Sequence, residues 1–120
     1  MAKPRTKTTD ADFRFFEQEC RKAIKAWGIV GWSIVFLYEH LDGKRACIRI
    51  NPVGRVASIV LSDDLEVPVT KKELTFLARH EVTHLLLSPL ADIVSKRYLS
   101  EDEETAAHEH VCNHLEGLLP

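Results

Sequence analysis

The hydrophobic period of this chain changes twice, near Trp32 and again near Thr70, and the two changes divide it into helix, strands and helices. Between residues 10 and 27, Phe13, Phe16, Cys20, Ala23, Ile24 and Trp27 recur at steps of three and four. That spacing lays one buried stripe along an α-helix. Asp10 is the expected cap and Gly28 the expected stop. From Trp32 the composition turns β-branched and aromatic in WSIVFLYEHL, DGK follows as a tight turn, and RACIRINP continues as strand. NPVGR makes a second turn before VASIVLS. The expectation is a three-stranded, mostly antiparallel meander whose first two strands form a hairpin.

After the acidic loop DDLEVPV, Thr70 stands three residues before Glu73, a capping box that starts a second helix. Leu74, Leu77, Ala78, Glu81 and Leu85 fall along one side of it, and Ser88-Pro89 is expected to close it. Residues 90 to 99 read as a short turn or loop. SEDEE at 100 to 104 then offers a cap and an acidic first turn for a last helix that runs to about Leu119. Its expected apolar stripe is Val111, Leu115 and Leu118. The fold class is therefore α+β: an N-terminal helix, three strands and two further helices.

A chain of 120 residues with 45% hydrophobic residues builds one domain with one modest core. Residues 10–120 are expected to form it, with residues 1–9 as a disordered basic tail. Lys plus Arg is 16 against 18 for Asp plus Glu, a net charge of -2, so no global positive field attracts nucleic acid. Cys20, Cys47 and Cys112 are widely spaced and form no CxxC pair, which signals neither a disulfide framework nor a thiolate zinc knuckle. No apolar run approaches the roughly 20 residues that span a bilayer, and the expected location is cytoplasmic, away from membranes.

The second helix carries the chemistry. In RHEVTHLLLSP, His80 and His84 stand four apart, so their imidazoles leave one helix face and can hold one metal ion between them. Glu81 is turned about 100° from His80 but only about 60° from His84, so it borders the ion without having to bind it. That divides the labour: the histidines hold Zn²⁺, and Glu81 acts as general base on a water. The reaction implied is amide hydrolysis on a peptide or protein substrate.

A catalytic zinc needs a third protein ligand. On the last helix, with Leu115 as zero and about 100° per residue, Glu104 falls near -20°, His108 near +20° and Glu109 near +120°. Glu104 and His108 are thus the inward candidates, and burying either without a partner is costly. Tyr98, His110 and His114 are candidates by residue type to steady a transition-state oxyanion. His40, beside the DGK turn, reads as a surface residue.

With H80-E-V-T-H84 on one helix and E104-x-x-x-H108 on the next, the chain resembles the zincin metallopeptidases, most nearly the gluzincin arrangement. It is also similar to small HExxH proteins of phage and prophage genomes. The resemblance implies a minimal zincin fold, a single zinc ion, His80 and His84 as ligands, Glu81 as general base and Glu104 as third ligand, twenty positions beyond His84. His108 stands where gluzincins often carry an acidic residue, which leaves it as the alternative third ligand. Zincins present substrate as a strand added to a sheet edge. The sequence has no second lobe to wall a cleft, and this leaves a second reading: a catalytically silent, zinc-stabilised protein-binding module.

Overall fold

The computed structural model describes residues 3–95 and 101–116. Its elements are α1 (Asp10–Ala26), β1 (Ser33–Glu39), β2 (Ala46–Asn51), β3 (Val56–Ser62), α2 (Lys71–Ser95) and α3 (Glu101–Glu116). The α+β layout is the expected one. The strand order is not.

The sheet order is β1-β3-β2, with β1 parallel and β2 antiparallel to β3. The DGK segment therefore closes no hairpin, and the meander is replaced by a mixed sheet. The physical reason lies in β3, where Ala57, Ile59, Val60 and Leu61 are all fully buried. A strand apolar on both faces belongs in the middle, whereas β1 and β2 carry exposed residues along their length. The link between β1 and β2 arches over the end of β3: Asp63 N–H donates to Glu39 O at 3.2 Å and Ser62 N–H to Arg45 O at 2.9 Å. The true hairpin is β2–β3. Its turn is set by Asn51, whose side-chain oxygen accepts from Val53 N–H at 3.1 Å and Gly54 N–H at 3.2 Å.

Helix α1 begins one residue earlier than Asp10 suggests. Thr9 is the cap, in a capping box with Asp12. Phe16, Cys20 and Ala23 are buried along its stripe, and Phe13, Ile24 and Trp27 pack beside them. They meet Leu74, Leu77, Ala78 and Val82 of α2 and the sheet face bearing Ile34, Phe36, Ile48, Ile59 and Leu61. Both helices thus cover one side of the sheet, and the core lies between.

The segment before α1 is docked rather than loose. Thr8 N–H donates to Asp63 O at 2.9 Å, Leu65 N–H to Thr6 O at 3.0 Å and Val69 N–H to Arg5 O at 2.9 Å. Arg5 also pairs with Asp12 at 2.5 Å. The expected tail of residues 1–9 therefore becomes, from Arg5 to Thr8, a strap along the loop that follows β3. Backbone donors of that loop need acceptors, and the strap supplies them.

Helix α2 starts as expected, with Glu73 N–H donating to Thr70 Oγ1 at 3.0 Å. It does not stop at Ser88-Pro89 but continues to Ser95. Pro89 lacks the N–H that would bond the Leu85 carbonyl. The Ser88 hydroxyl donates to Leu85 O at 2.9 Å instead, so the helix passes through the proline with no stranded acceptor there. On the core side Leu74, Leu77, Ala78, Glu81 and Leu85 are all buried.

Candidate metal centre

His80 and His84 leave the side of α2 that faces α3, while Leu85 holds the helix to the core at 1% exposure. Their Nε2 atoms lie 3.2 Å apart. The carboxylate that meets them belongs to Glu109: Oε1 is 2.8 Å from His84 Nε2 and Oε2 is 3.2 Å from His80 Nε2. Two imidazoles and one carboxylate are the donor set of a catalytic zinc. A tetrahedral ion with arms of 2.0–2.1 Å spaces its ligand atoms by roughly 3.3–3.4 Å. The two separations of 3.2 Å are close to that edge and the 2.8 Å contact is a hydrogen-bond length, so the donor chemistry fits such an ion and the carboxylate has only to move back slightly to admit it.

The other nitrogen of the His84 ring faces a different group. His84 Nδ1 lies 3.3 Å from Cys112 Sγ and 3.4 Å from His108 Nε2, and the two rings meet edge to face with centroids 4.6 Å apart. Among the described residues these are the two sets that can hold a metal ion: His80, His84 and Glu109, and His84, His108 and Cys112. Burial pulls the His84 imidazole down to about 4, with His108 and His80 adding to the fall and the Glu109 carboxylate opposing it. The ring is therefore neutral near pH 7, the form that binds metal.

Glu81 is 6% exposed and lines the same cleft as His80 and His84. Its charge reaches two thiols. Cys20 is raised well above the ordinary thiol value, chiefly by burial and then by Glu81, and Cys47 is raised by burial with a smaller push from Glu81. The cleft has a volume of about 550 Å³; its wall opposite the histidines is the run Gly43–Ile48 leading into β2, and Phe76, Glu109 and Asn113 complete it.

Strand β2 is an edge of the sheet. Since Ser62 N–H donates to Arg45 O across the ladder and Ala46 pairs with Leu61, alternation turns the backbone groups of Ala46, Ile48 and Ile50 away from β3. The cleft is thus bordered by a strand edge with backbone donors and acceptors directed outward, beside two histidines and two carboxylates.

The remaining sequence candidates fall in several places. The side chain of Glu104 lies outside the described residues, as do Tyr98 and the side chain of His114. His110 is exposed and away from the cleft. His108 meets His84 from the far side of the ring. His40 is a surface residue held between Asp63 at 2.7 Å and Asp42 at 2.8 Å. Within the stripe expected on the last helix, Val111 is 40% exposed, whereas the neighbouring Cys112 is fully buried. Cys112 lies about 60° round the helix from Leu115, between His108 and Glu109, so the inward face is turned toward it and Glu109 comes inward with it. The signal for this was Cys112, an apolar-compatible residue three after Glu109 and four after His108.

No protein-family model, no curated protein and no solved structure matches the chain. No helix among the described residues is long and apolar enough to cross a membrane.

Proposed function

We propose that the chain is a zinc-dependent metallopeptidase in which His80, His84 and Glu109 hold the ion and Glu81 serves as general base. The observation that carries this reading is the approach of one carboxylate, Glu109, to both Nε2 atoms of an HExxH helix, at 2.8 and 3.2 Å. A bound zinc would supply Lewis-acid polarisation of a peptide carbonyl and make water acidic enough to react near neutral pH. Glu81 takes the proton from the attacking water on its carboxylate and returns it to the leaving amine. The substrate lies as an added strand along β2, its main chain bonded to the outward groups of Ala46, Ile48 and Ile50. Phe76 and Leu77 give the cleft an apolar wall beside the reacting bond. A phage or prophage origin belongs to this proposal as an expectation of the resemblance, and cytosolic action as one of the sequence's lack of a long apolar run.

The burial of Glu81 favours one competing reading. A base that is 6% exposed has restricted access to water, as suits a zinc-stabilised module that binds a protein partner and does not turn over. Replacing Glu81 by Gln separates the two. A peptidase keeps its zinc and loses cleavage of a denatured-protein substrate; for a binding module there is no cleavage to lose. Chain purified without chelators and free of metal would refute both.

A further inference from the structure

We propose a second metal position on the opposite side of the His84 ring, formed by Cys112 Sγ, His108 Nε2 and His84 Nδ1, and suited to a thiophilic divalent cation. Three observations converge on it. The Nδ1 atom has a sulfur at 3.3 Å and an imidazole nitrogen at 3.4 Å. All three ligand atoms lie within 4.8 Å of one another, with Cys112 fully buried and the two histidines half-buried. Around an ion with Zn–N near 2.0–2.1 Å and Zn–S near 2.3 Å, tetrahedral edges are about 3.3–3.6 Å. The edge between His84 and His108 already has the nitrogen–nitrogen length, and the edge to Cys112, at 3.3 Å, is slightly shorter than a nitrogen–sulfur one.

The donor chemistry differs between the two sides of the ring. His80, His84 and Glu109 offer two nitrogens and a hard oxygen, whereas the Cys112 side offers a soft sulfur and two nitrogens. A softer ion therefore prefers the sulfur set. A carboxylate only accepts hydrogen bonds, so Glu109 Oε1 at 2.8 Å from His84 Nε2 draws the ring proton to Nε2 and leaves the Nδ1 lone pair toward Cys112 and His108. Entry of the ion replaces the Cys112 thiol proton, which leaves to solvent, and the His84 proton stays on Nε2.

The consequence is exclusion. A neutral imidazole has one lone pair, so His84 serves one ion at a time. An ion held by Cys112 and His108 removes His84 from the set with His80 and Glu109. Thiophilic metal in excess thus acts as an inhibitor of the first site by taking away a ligand, without occupying the cleft. This inference goes beyond the peptidase reading and uses neither His80 nor Glu81.

The test is a Cd²⁺ titration of the full chain, following the ultraviolet thiolate-to-cadmium charge-transfer band, with X-ray absorption of the loaded wild-type protein. The expected result is a saturable band and a coordination shell containing one sulfur. Cys112→Ser should lose the band, and His80→Ala should keep it. The wild-type spectrum decides the matter even if a variant folds poorly: a shell of nitrogen and oxygen alone overturns the proposal. Survival of the band in Cys112→Ser, or its loss in a folded His80→Ala, overturns it as well. A sulfur shell retained in His80→Ala beside zinc-free protein would sink the peptidase reading and leave this one standing.

Discussion

Glu109 reaches across from α3 so that one oxygen of its carboxylate lies 2.8 Å from His84 Nε2 while the other lies 3.2 Å from His80. That contact ties the last helix to the helix of the HEVTH stretch and gives the two histidines a third donor. Glu109→Gln, which keeps the shape but removes the charge, should weaken zinc binding by about 100-fold or more, since even residues outside the ligand set cost 10–100-fold. Glu104→Gln should leave affinity nearly unchanged. Competition with a chromophoric chelator measures both, and the reverse ranking would return the ligand role to Glu104.

Glu81→Gln should leave zinc content intact and lower turnover by about 10² to 10⁴-fold, the usual worth of a general base. Cleavage of a fluorescent casein-type substrate, read beside metal content, checks this. Undiminished cleavage in the variant would remove Glu81 from the chemistry.

Zinc bound to the folded chain alone stabilises it by mass action. At a free concentration of about 100 times Kd the gain is about 2.7 kcal/mol. For a domain of this size that corresponds to roughly 10 °C or more in melting temperature. A chelator should therefore lower the melting temperature of the wild type by that amount and that of His80→Ala by clearly less, since only the set with Cys112 and His108 is left there to hold an ion. Equal responses in the two proteins would show that the ion sits elsewhere.

Ser88→Ala should cost about 1–3 kcal/mol, because the Leu85 carbonyl would then have neither the Ser88 hydroxyl nor an amide at Pro89. Pro89→Ala restores the amide. In that background the Ser88→Ala penalty should shrink, a coupling that urea denaturation of the four proteins would read as a double-mutant cycle. Additive losses would mean the hydroxyl does not stand in for the missing amide.

The His40 imidazole, bonded to Asp63 and Asp42, is raised above its ordinary value of 6.5 chiefly by the Asp63 hydrogen bond, then by that to Asp42. A raised folded-state value means the charged form is favoured in the fold. The contribution is fully present below about pH 6.5 and is lost as pH rises through the folded value. An NMR titration of His40 should give a midpoint above that of Asp63→Asn. The effect on global stability should be small, because both groups are exposed.

Caps and stripes were the legible part of the fold, because each is set by residues within one turn of each other. Thr70 with Glu73 and the run Phe16, Cys20, Ala23 show this. Strand order was not set locally. DGK has the composition of a hairpin turn, but β3 outcompetes β2 for the place beside β1 because it alone is buried on both faces. The apolar run in VASIVL, interrupted only by Ser58, was the available clue, and period-two reasoning about turns does not use it. At the site, the placement of His80, His84 and Glu81 on one helix could be read from spacing. The facing residues could not, since the azimuth of α3 was referred to Leu115, whereas the fold turns Cys112 inward and brings Glu109 with it.

Anomalous diffraction at the zinc absorption edge from crystals of the chain would locate the ion itself. A single strong peak is expected about 2 Å from His80 Nε2, His84 Nε2 and a Glu109 carboxylate oxygen. A peak bonded to Cys112 and His108 with none at His80, or no peak in crystals grown with zinc, would contradict it.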